Sequence, residues 1–326
     1  MGVQHHVVPQ FYLRGFRDPQ VTPKMGARLW LADFSRHAVE PGFPKSIACL
    51  MDYYKFDGST AGLSDDAVET ELLGRIEHDA ACVISHLLDG NFSLTDPQRG
   101  DLAHYMAFQV TRTPAWRSSC QQIVGDLANT WLRASVSNRE YFERTFREAN
   151  SASGLSAERL EELRRKFLDS RVDRVRATST ASLAFMIEVA STITRFFFTM
   201  CWRFALAPLG HHFVTCDNPV FWYDATMPAR FAYGLGSPRT VVTYPLGPEL
   251  ALLMSHCKDV GGRERVDEDV VLFVNARMVR SAERFVFAAR KEEAHAALAL
   301  RRKLVSAGIE VGPRKPQLWE LQLASV

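Results

Sequence analysis

The spacing of apolar residues changes twice along this chain, and those changes restrict its fold more than any other feature. Arg28-Leu29-Trp30-Leu31-Ala32-Asp33-Phe34 alternates large apolar with smaller or polar residues, the period of a strand lying over a core. Residues 53–56 predict a second extended piece. From Asp65 onward the apolar positions are Val68, Leu72, Leu73, Ile76, Ala80, Val83, Ile84 and Leu87. Steps of three and four predict one long amphipathic helix ending near Gly90, with Ser64 and the acidic residues after it suited to its N-terminus. Thr95-Asp96-Pro97 opens a second helix, whose stripe of Leu102, Tyr105, Met106 and Val110 is broken by Pro114. Helices are also predicted over about 116–136, 157–175 and 180–200.

The last third differs. Residues 202–206, 212–215, 241–244 and 250–254 read as short strands punctuated by Gly, Pro and Asn, and helices follow near 267–278 and 291–305. Strands at both ends with helices between them predict an α+β fold: a mostly helical body packed on a small mixed or antiparallel sheet built from N-terminal and C-terminal strands. No repeat or low-complexity linker divides the 326 residues, so one domain is expected over 1–326, with a helical middle at about 65–200 and a strand-rich part at about 202–290. At 47% hydrophobic residues the chain can fill a core of that size.

Lys and Arg exceed Asp and Glu by only two, which does not advertise nucleic acid or a membrane surface as a partner. Arg164-Arg165-Lys166 and Arg301-Arg302-Lys303 read as solvated helix faces, diluted by neighbours such as Glu161, Glu162 and Asp169. Six scattered cysteines contain no Cys-x-x-Cys pair, against a zinc ribbon, a redox motif or a disulfide scaffold. The opening residues lack a signal-peptide pattern, and a cytoplasmic location is expected. The most apolar stretch, 181–202, is interrupted by Glu188 and Arg195 and reads as a buried helix rather than a membrane span.

The first residues are unusually rich in chemistry. His5-His6-Val7-Val8-Pro9-Gln10-Phe11-Tyr12-Leu13-Arg14-Gly15-Phe16 puts imidazoles, an amide and a phenol where most chains fray, so this segment is expected to dock into the body. Adjacent His5 and His6 point in different directions and do not chelate one metal as a pair. Pro9 suits the start of a short helix over 10–16, whose free N–H groups favour an anion beside the histidines. Gln109 and Arg112 share a helix face that Thr113-Pro114 ends, placing an amide and a planar guanidinium at a rim. Thr215-Cys216-Asp217-Asn218-Pro219 is turn chemistry after a strand, and equally a place where a carboxylate and an amide become available as base, ligand or anchor. Asp217 could be the carboxylate partner of Arg112. Glu69 and Glu77 share a face of the first long helix, as a wet flank or toward a site. His211-His212, beside Gly210, reads as a turn with a small share for metal binding.

Three of these stretches, His5-His6-x-x-Pro9-Gln10-x-Tyr12-Leu13-x-x-Phe16, Gln109-x-x-Arg112-Thr113-Pro114 and Phe213-Val214-Thr215-Cys216-Asp217-Asn218-Pro219, occur in this order. The set resembles the domain-of-unknown-function family DUF4238 from residue 5 to about residue 290, with Cys216 where that family usually carries a serine. The resemblance implies no established activity.

Walker A, Gly-x-Gly-x-x-Gly, His-Glu-x-x-His and Gly-x-Ser-x-Gly patterns are missing, which removes the main warrants for an NTPase, a Rossmann dehydrogenase, a zincin or an α/β-hydrolase. The expected site has His5, His6, Arg112 and Asp217 as catalytic groups and Gln10, Tyr12, Gln109 and Asn218 as substrate contacts. It would hydrolyse or transfer groups on a phosphate-containing or other anionic, nucleotide-like substrate, with nuclease-like activity as one version and one divalent ion as an option. An anion- or nucleotide-sensing module without catalysis is the alternative. A third reading is purely structural: a buried polar network pinning the N-terminus.

Overall fold

The computed structural model describes residues 4–21, 28–54, 68–149, 154–169, 179–224, 234–257 and 261–313. Its elements run β1 (Gln4–His6), α1 (Gln10–Arg14), β2 (Leu29–Asp33), β3 (Ala38–Gly42), β4 (Cys49–Met51), then a π-helical turn (Val68–Leu73) leading into α2 (Gly74–Leu88). Helices α3 (Asp96–Thr111), α4 (Pro114–Ser137), α5 (Arg139–Ala149), α6 (Ala157–Asp169) and α7 (Ser179–Thr199) form the middle. The last third holds β5 (Cys201–Leu206), β6 (Thr215–Cys216), β7 (Phe221–Asp224), β8 (Thr240–Gly247), β9 (Leu250–Ser255), β10 (Gly262–Arg265), α8 (Glu268–Ser281), β11 (Phe285–Ala288) and α9 (Lys291–Ser306).

The fold is α+β, with the strands divided among three sheets. An antiparallel sheet in the order β3-β2-β11-β6 joins the two ends of the chain, as the strand-helix-strand pattern predicts. A mixed five-stranded sheet, β10-β5-β9-β8-β7, comes entirely from the last third, and β1 pairs with β4 alone. Helices α2, α3 and α7 bury Ile84, Met106 and Phe197 in the same core as Phe204, Tyr244 and Leu252 of the five-stranded sheet. Met278 of α8 and Leu298 of α9 pack instead with Ala32 and Val286 of the four-stranded sheet.

Several local expectations change. Thr95 caps α3 through a reciprocal pair, its N–H donating to Gln98 Oε1 at 2.9 Å and its hydroxyl accepting from the Gln98 N–H. Thr113-Pro114 does more than stop this helix: Thr113 is the N-cap of α4 and Pro114 its first residue, so the chain turns straight into the next helix. Arg112 therefore sits in an interhelical corner, 1% exposed, and not at a rim. The extended piece predicted at 53–56 is a turn through Tyr54, with β4 preceding it and Lys55 and Phe56 outside the described residues. Of residues 212–215, only Thr215 is in a strand. Ser64, Asp65 and the arginines that follow the first basic run, Arg171, Arg174 and Arg176, lie outside the described residues, as does the side chain of Glu69.

One face of α7 is buried, through Leu183, Met186, Val189, Ala190, Ile193 and Phe197, while Glu188 and Arg195 are exposed with Ile187 and Phe198. By length and composition alone this helix could cross a membrane, and its apolar stripe is used against the core. Both basic runs are locally engaged. Arg164 and Arg165 pair with Glu161, and Lys166 with Glu162. Arg301 donates to the Val279 carbonyl, and Arg302 to that of His37.

The sheet that joins the chain ends has an ionic clasp. Arg284, just before β11, donates to Asp33 at the end of β2, Nη2 to Oδ2 at 2.7 Å, and Ser35 adds N–H and hydroxyl bonds to Oδ1. Burial alone would raise the Asp33 carboxyl, but Arg284, Ser35 and the Arg36 N–H outweigh it and hold it at about 2. A depressed pKa stabilises the fold above the unfolded value and loses that contribution as pH falls through the folded one. Arg284 is half-exposed and partly screened, so equilibrium unfolding is expected to lose about 1–2 kcal/mol between pH 4 and pH 2, a loss missing in Asp33→Asn.

Candidate functional site

The N-terminal motif is tied down at every turn. Strand β1 pairs antiparallel with β4, His5 opposite Leu50 and His6 opposite Cys49. The Nδ1 of buried His5 accepts the Tyr54 backbone N–H at 2.9 Å, which fixes the neutral tautomer with its proton on Nε2. His6 is half-buried with Nε2 3.3 Å from the Lys45 carbonyl, and burial lowers its pKa despite that contact and Glu77.

From α3, Gln109 and Arg112 reach the same segment, as their shared face predicts. Gln109 Nε2 donates to the Val7 carbonyl at 3.0 Å. Arg112 uses its whole fork: Nη2 to the His6 carbonyl at 2.6 Å, Nη1 to Glu77 Oε1 at 2.8 Å, and Nε to the Tyr54 hydroxyl at 3.2 Å. Burial alone would favour loss of its proton, but Tyr54 and Glu77 outweigh this and raise its pKa. The carboxylate partner of Arg112 is thus Glu77 rather than Asp217, which explains why that residue of the α2 flank faces inward.

Helix α1 continues the anchoring. Pro9 is its N-cap, and Gln10 accepts a bond from Arg14 on its outer face. Tyr12 is fully buried, stacks on Tyr244 at 5.2 Å, donates to the Pro245 carbonyl at 2.7 Å and lies 2.6 Å from Thr215 Oγ1. Pro245 lies at the bulge between β8 and β9, where the ladder is irregular and its carbonyl can accept a side chain. Tyr12→Phe is expected to cost about 1–3 kcal/mol in chemical denaturation, because both partners stay buried without their donor or acceptor.

Asp217 and Asn218 belong to a second lock. Asp217 Oδ1 accepts the Glu283 N–H at 2.8 Å, and Oδ2 accepts those of Arg284 and Phe285 at 2.7 and 2.8 Å, closing the α8–β11 turn. Burial pushes this carboxyl up to about 6, against the three amides that favour its anion. Asn218 Nδ2 reaches the Ser281 carbonyl at 3.5 Å, and Cys216 Sγ lies 3.5 Å from Ser281 Oγ. The structure therefore brings His5, His6, Gln109 and Arg112 together and joins Tyr12 to Thr215, while Asp217 and Asn218 serve another junction.

A second acid-base arrangement, this one on a cavity, lies beyond the end of α1. A cavity of about 600 Å³ is lined by Gly15 and Arg17 after α1, by Leu88 at the end of α2, by Pro248 and Glu249 of the β8–β9 turn, and by His212 and Arg290. A Cβ on Gly15 would stand 3.1 Å from the Tyr12 carbonyl and 3.5 Å from that of Leu246, so the chain leaves α1 close against the sheet. The docked motif consequently makes one wall of this cavity.

His212 is nearly buried, with Nδ1 2.8 Å from Glu293 Oε1 in the first turn of α9. The other oxygen of Glu293 accepts the Arg290 N–H at 3.3 Å, and Asn275 of α8 holds the imidazole's segment by donating to the His212 carbonyl and accepting the Val214 N–H. Burial pushes the Glu293 carboxyl up to about 7, against the Arg290 N–H and charge and with Glu292. Burial and then Arg290 lower His212, with Glu249 opposing and His211 adding to the lowering. Glu293 therefore changes charge near neutral pH beside an imidazole held below its ordinary value.

In the sequence His212 reads only as a turn residue or metal ligand, and Glu293, Arg17 and Arg290 carry no local signal. The dyad partners lie far apart in the chain, and a Glu in the first turn of a helix reads as a dipole-favoured residue. Among the described residues no group of three or more His, Cys, Asp or Glu side chains could hold a metal ion.

A family model described as a protein of unknown function (DUF4238) matches residues 4–292. No curated protein and no solved structure matches the chain.

Proposed function

We propose that this chain, which belongs to the DUF4238 family, binds a small phosphate-containing or other anionic molecule in the 600 Å³ cavity and hydrolyses it or transfers its anionic group. The observation that carries this reading is the His212 Nδ1–Glu293 Oε1 contact of 2.8 Å on a cavity also lined by Arg17 and Arg290. Glu293 Oε1 stands 2.8 Å from Nδ1, and a neutral ring with its proton on that side has the Nε2 lone pair for general-base work. In hydrolysis, water forms the new bond to phosphorus as Nε2 takes its proton, the bond to the leaving oxygen breaks, and the imidazolium returns the proton to that oxygen. Arg17 and Arg290 offset the charge that grows on the phosphoryl oxygens.

His5, His6, Gln109 and Arg112 are then framework that seats α1 and so positions Arg17. A mononucleotide-sized substrate suits a half-open cleft of this volume, and a nuclease would act on a chain end or a single strand rather than on a duplex. Purified protein is to be assayed on aryl phosphate mono- and diesters and on nucleotides, with and without magnesium or manganese. Turnover that disappears in His212→Ala supports the reading. Binding without turnover in every condition assigns the chain to the sensing class, and absence of both removes the site.

A further inference from the structure

Resting on that reading, we infer that the cavity selects anions that carry an apolar body, such as an aryl or branched-alkyl phosphate monoester, over bare phosphate. The cations and the dyad form only part of the lining. Leu88 at the end of α2, Phe92 just after it and Leu206 at the end of β5 supply an apolar remainder, backed by the buried Leu87 and Leu250. Leu88 is 44% exposed and lines the cavity, so its side chain is open to a ligand there. A volume of about 600 Å³ is in the range of sites for drug-sized ligands and leaves most of this lining uncovered by an inorganic anion.

The polar groups also limit the anion. Glu249 lines the cavity with Arg17 and Arg290, so a polyanion would meet a carboxylate as well as two guanidinium groups. A single phosphoryl group on an apolar body satisfies both kinds of lining at once. Covering roughly 100 Å² of ligand surface at the usual hydrophobic coefficient corresponds to a gain in affinity of about tenfold to a hundredfold.

Calorimetric binding to the full chain tests this with naphthylmethylphosphonate, which cannot be hydrolysed at a P–O ester, against methylphosphonate and naphthylmethanol. Naphthylmethylphosphonate is expected to bind at least about tenfold more tightly than methylphosphonate. Leu88→Gln, a change at a half-exposed position, should reduce that ratio while leaving methylphosphonate affinity unchanged, and Arg290→Gln should weaken both phosphonates. Equal affinity for the two phosphonates, with loss of both in Arg290→Gln, overturns the apolar selection and leaves the anion site standing. Naphthylmethanol binding as tightly as naphthylmethylphosphonate, with no response to Arg290→Gln, overturns the anion reading itself. Failure of both phosphonates to bind overturns both readings.

Discussion

Replacing Arg112 with alanine is expected to lower the free energy of unfolding by about 3–5 kcal/mol, the range for breaking a buried, hydrogen-bonded ion pair. The guanidinium is 1% exposed and all three of its donor groups are used. Without it the Glu77 carboxylate, the Tyr54 hydroxyl and the His6 carbonyl lose their common partner. Lysine should not restore stability, since one ammonium cannot reproduce a planar fork aimed at acceptors from β1, α2 and the turn at Tyr54. Urea denaturation measures the loss directly. An Arg112→Ala protein with wild-type stability would mean that Arg112 is not framework. The largest loss of activity with stability preserved would return it to the catalytic role that its sequence context suggests.

That contrast explains how much was legible beforehand. Helical periodicity located α2, α3, α4 and α7 because each buries one stripe, and Thr95 and Pro97 mark a real helix start. Strands β1, β3, β4, β7, β10 and β11 fall outside the predicted ones: Val39 and Pro41 give β3 no alternation, β1 and β4 are three residues each, and Gly262–Arg265 is wholly exposed and polar. The polar motifs were found as chemistry but not as a network, because a sequence shows donor types and not what they face. Gln109 and Arg112 do share a volume, yet it is filled by the backbone of His6 and Val7. Asp217 followed turn chemistry more than site chemistry, accepting three amides across the α8–β11 junction. His212 and Glu293 meet only through the packing of α8 and α9 on the four-stranded sheet, which no local pattern encodes.

His212→Ala is expected to reduce turnover of whichever phosphoester the wild-type chain accepts by about 10²–10⁴-fold, the usual contribution of a positioned acid-base group. Stability should change far less, since the Asn275 bonds to the His212 backbone and Val214 remain. Glu293→Gln separates orientation from proton transfer. Burial and Arg290 already hold the His212 imidazolium below its ordinary value, so the rate is expected to rise with pH below the usual imidazole range in the wild type, and loss of the Glu293 carboxylate 2.8 Å away should move that rise lower. An unchanged profile would show that Glu293 does not influence the active base.

The most direct test of the cavity as the functional site is a crystal structure of the full chain with naphthylmethylphosphonate. The predicted result is the phosphonate between Arg17, Arg290 and His212, with its apolar part against Leu88 and Phe92. A ligand held instead by His5, His6 and Arg112, with the 600 Å³ cavity left to solvent, would contradict it.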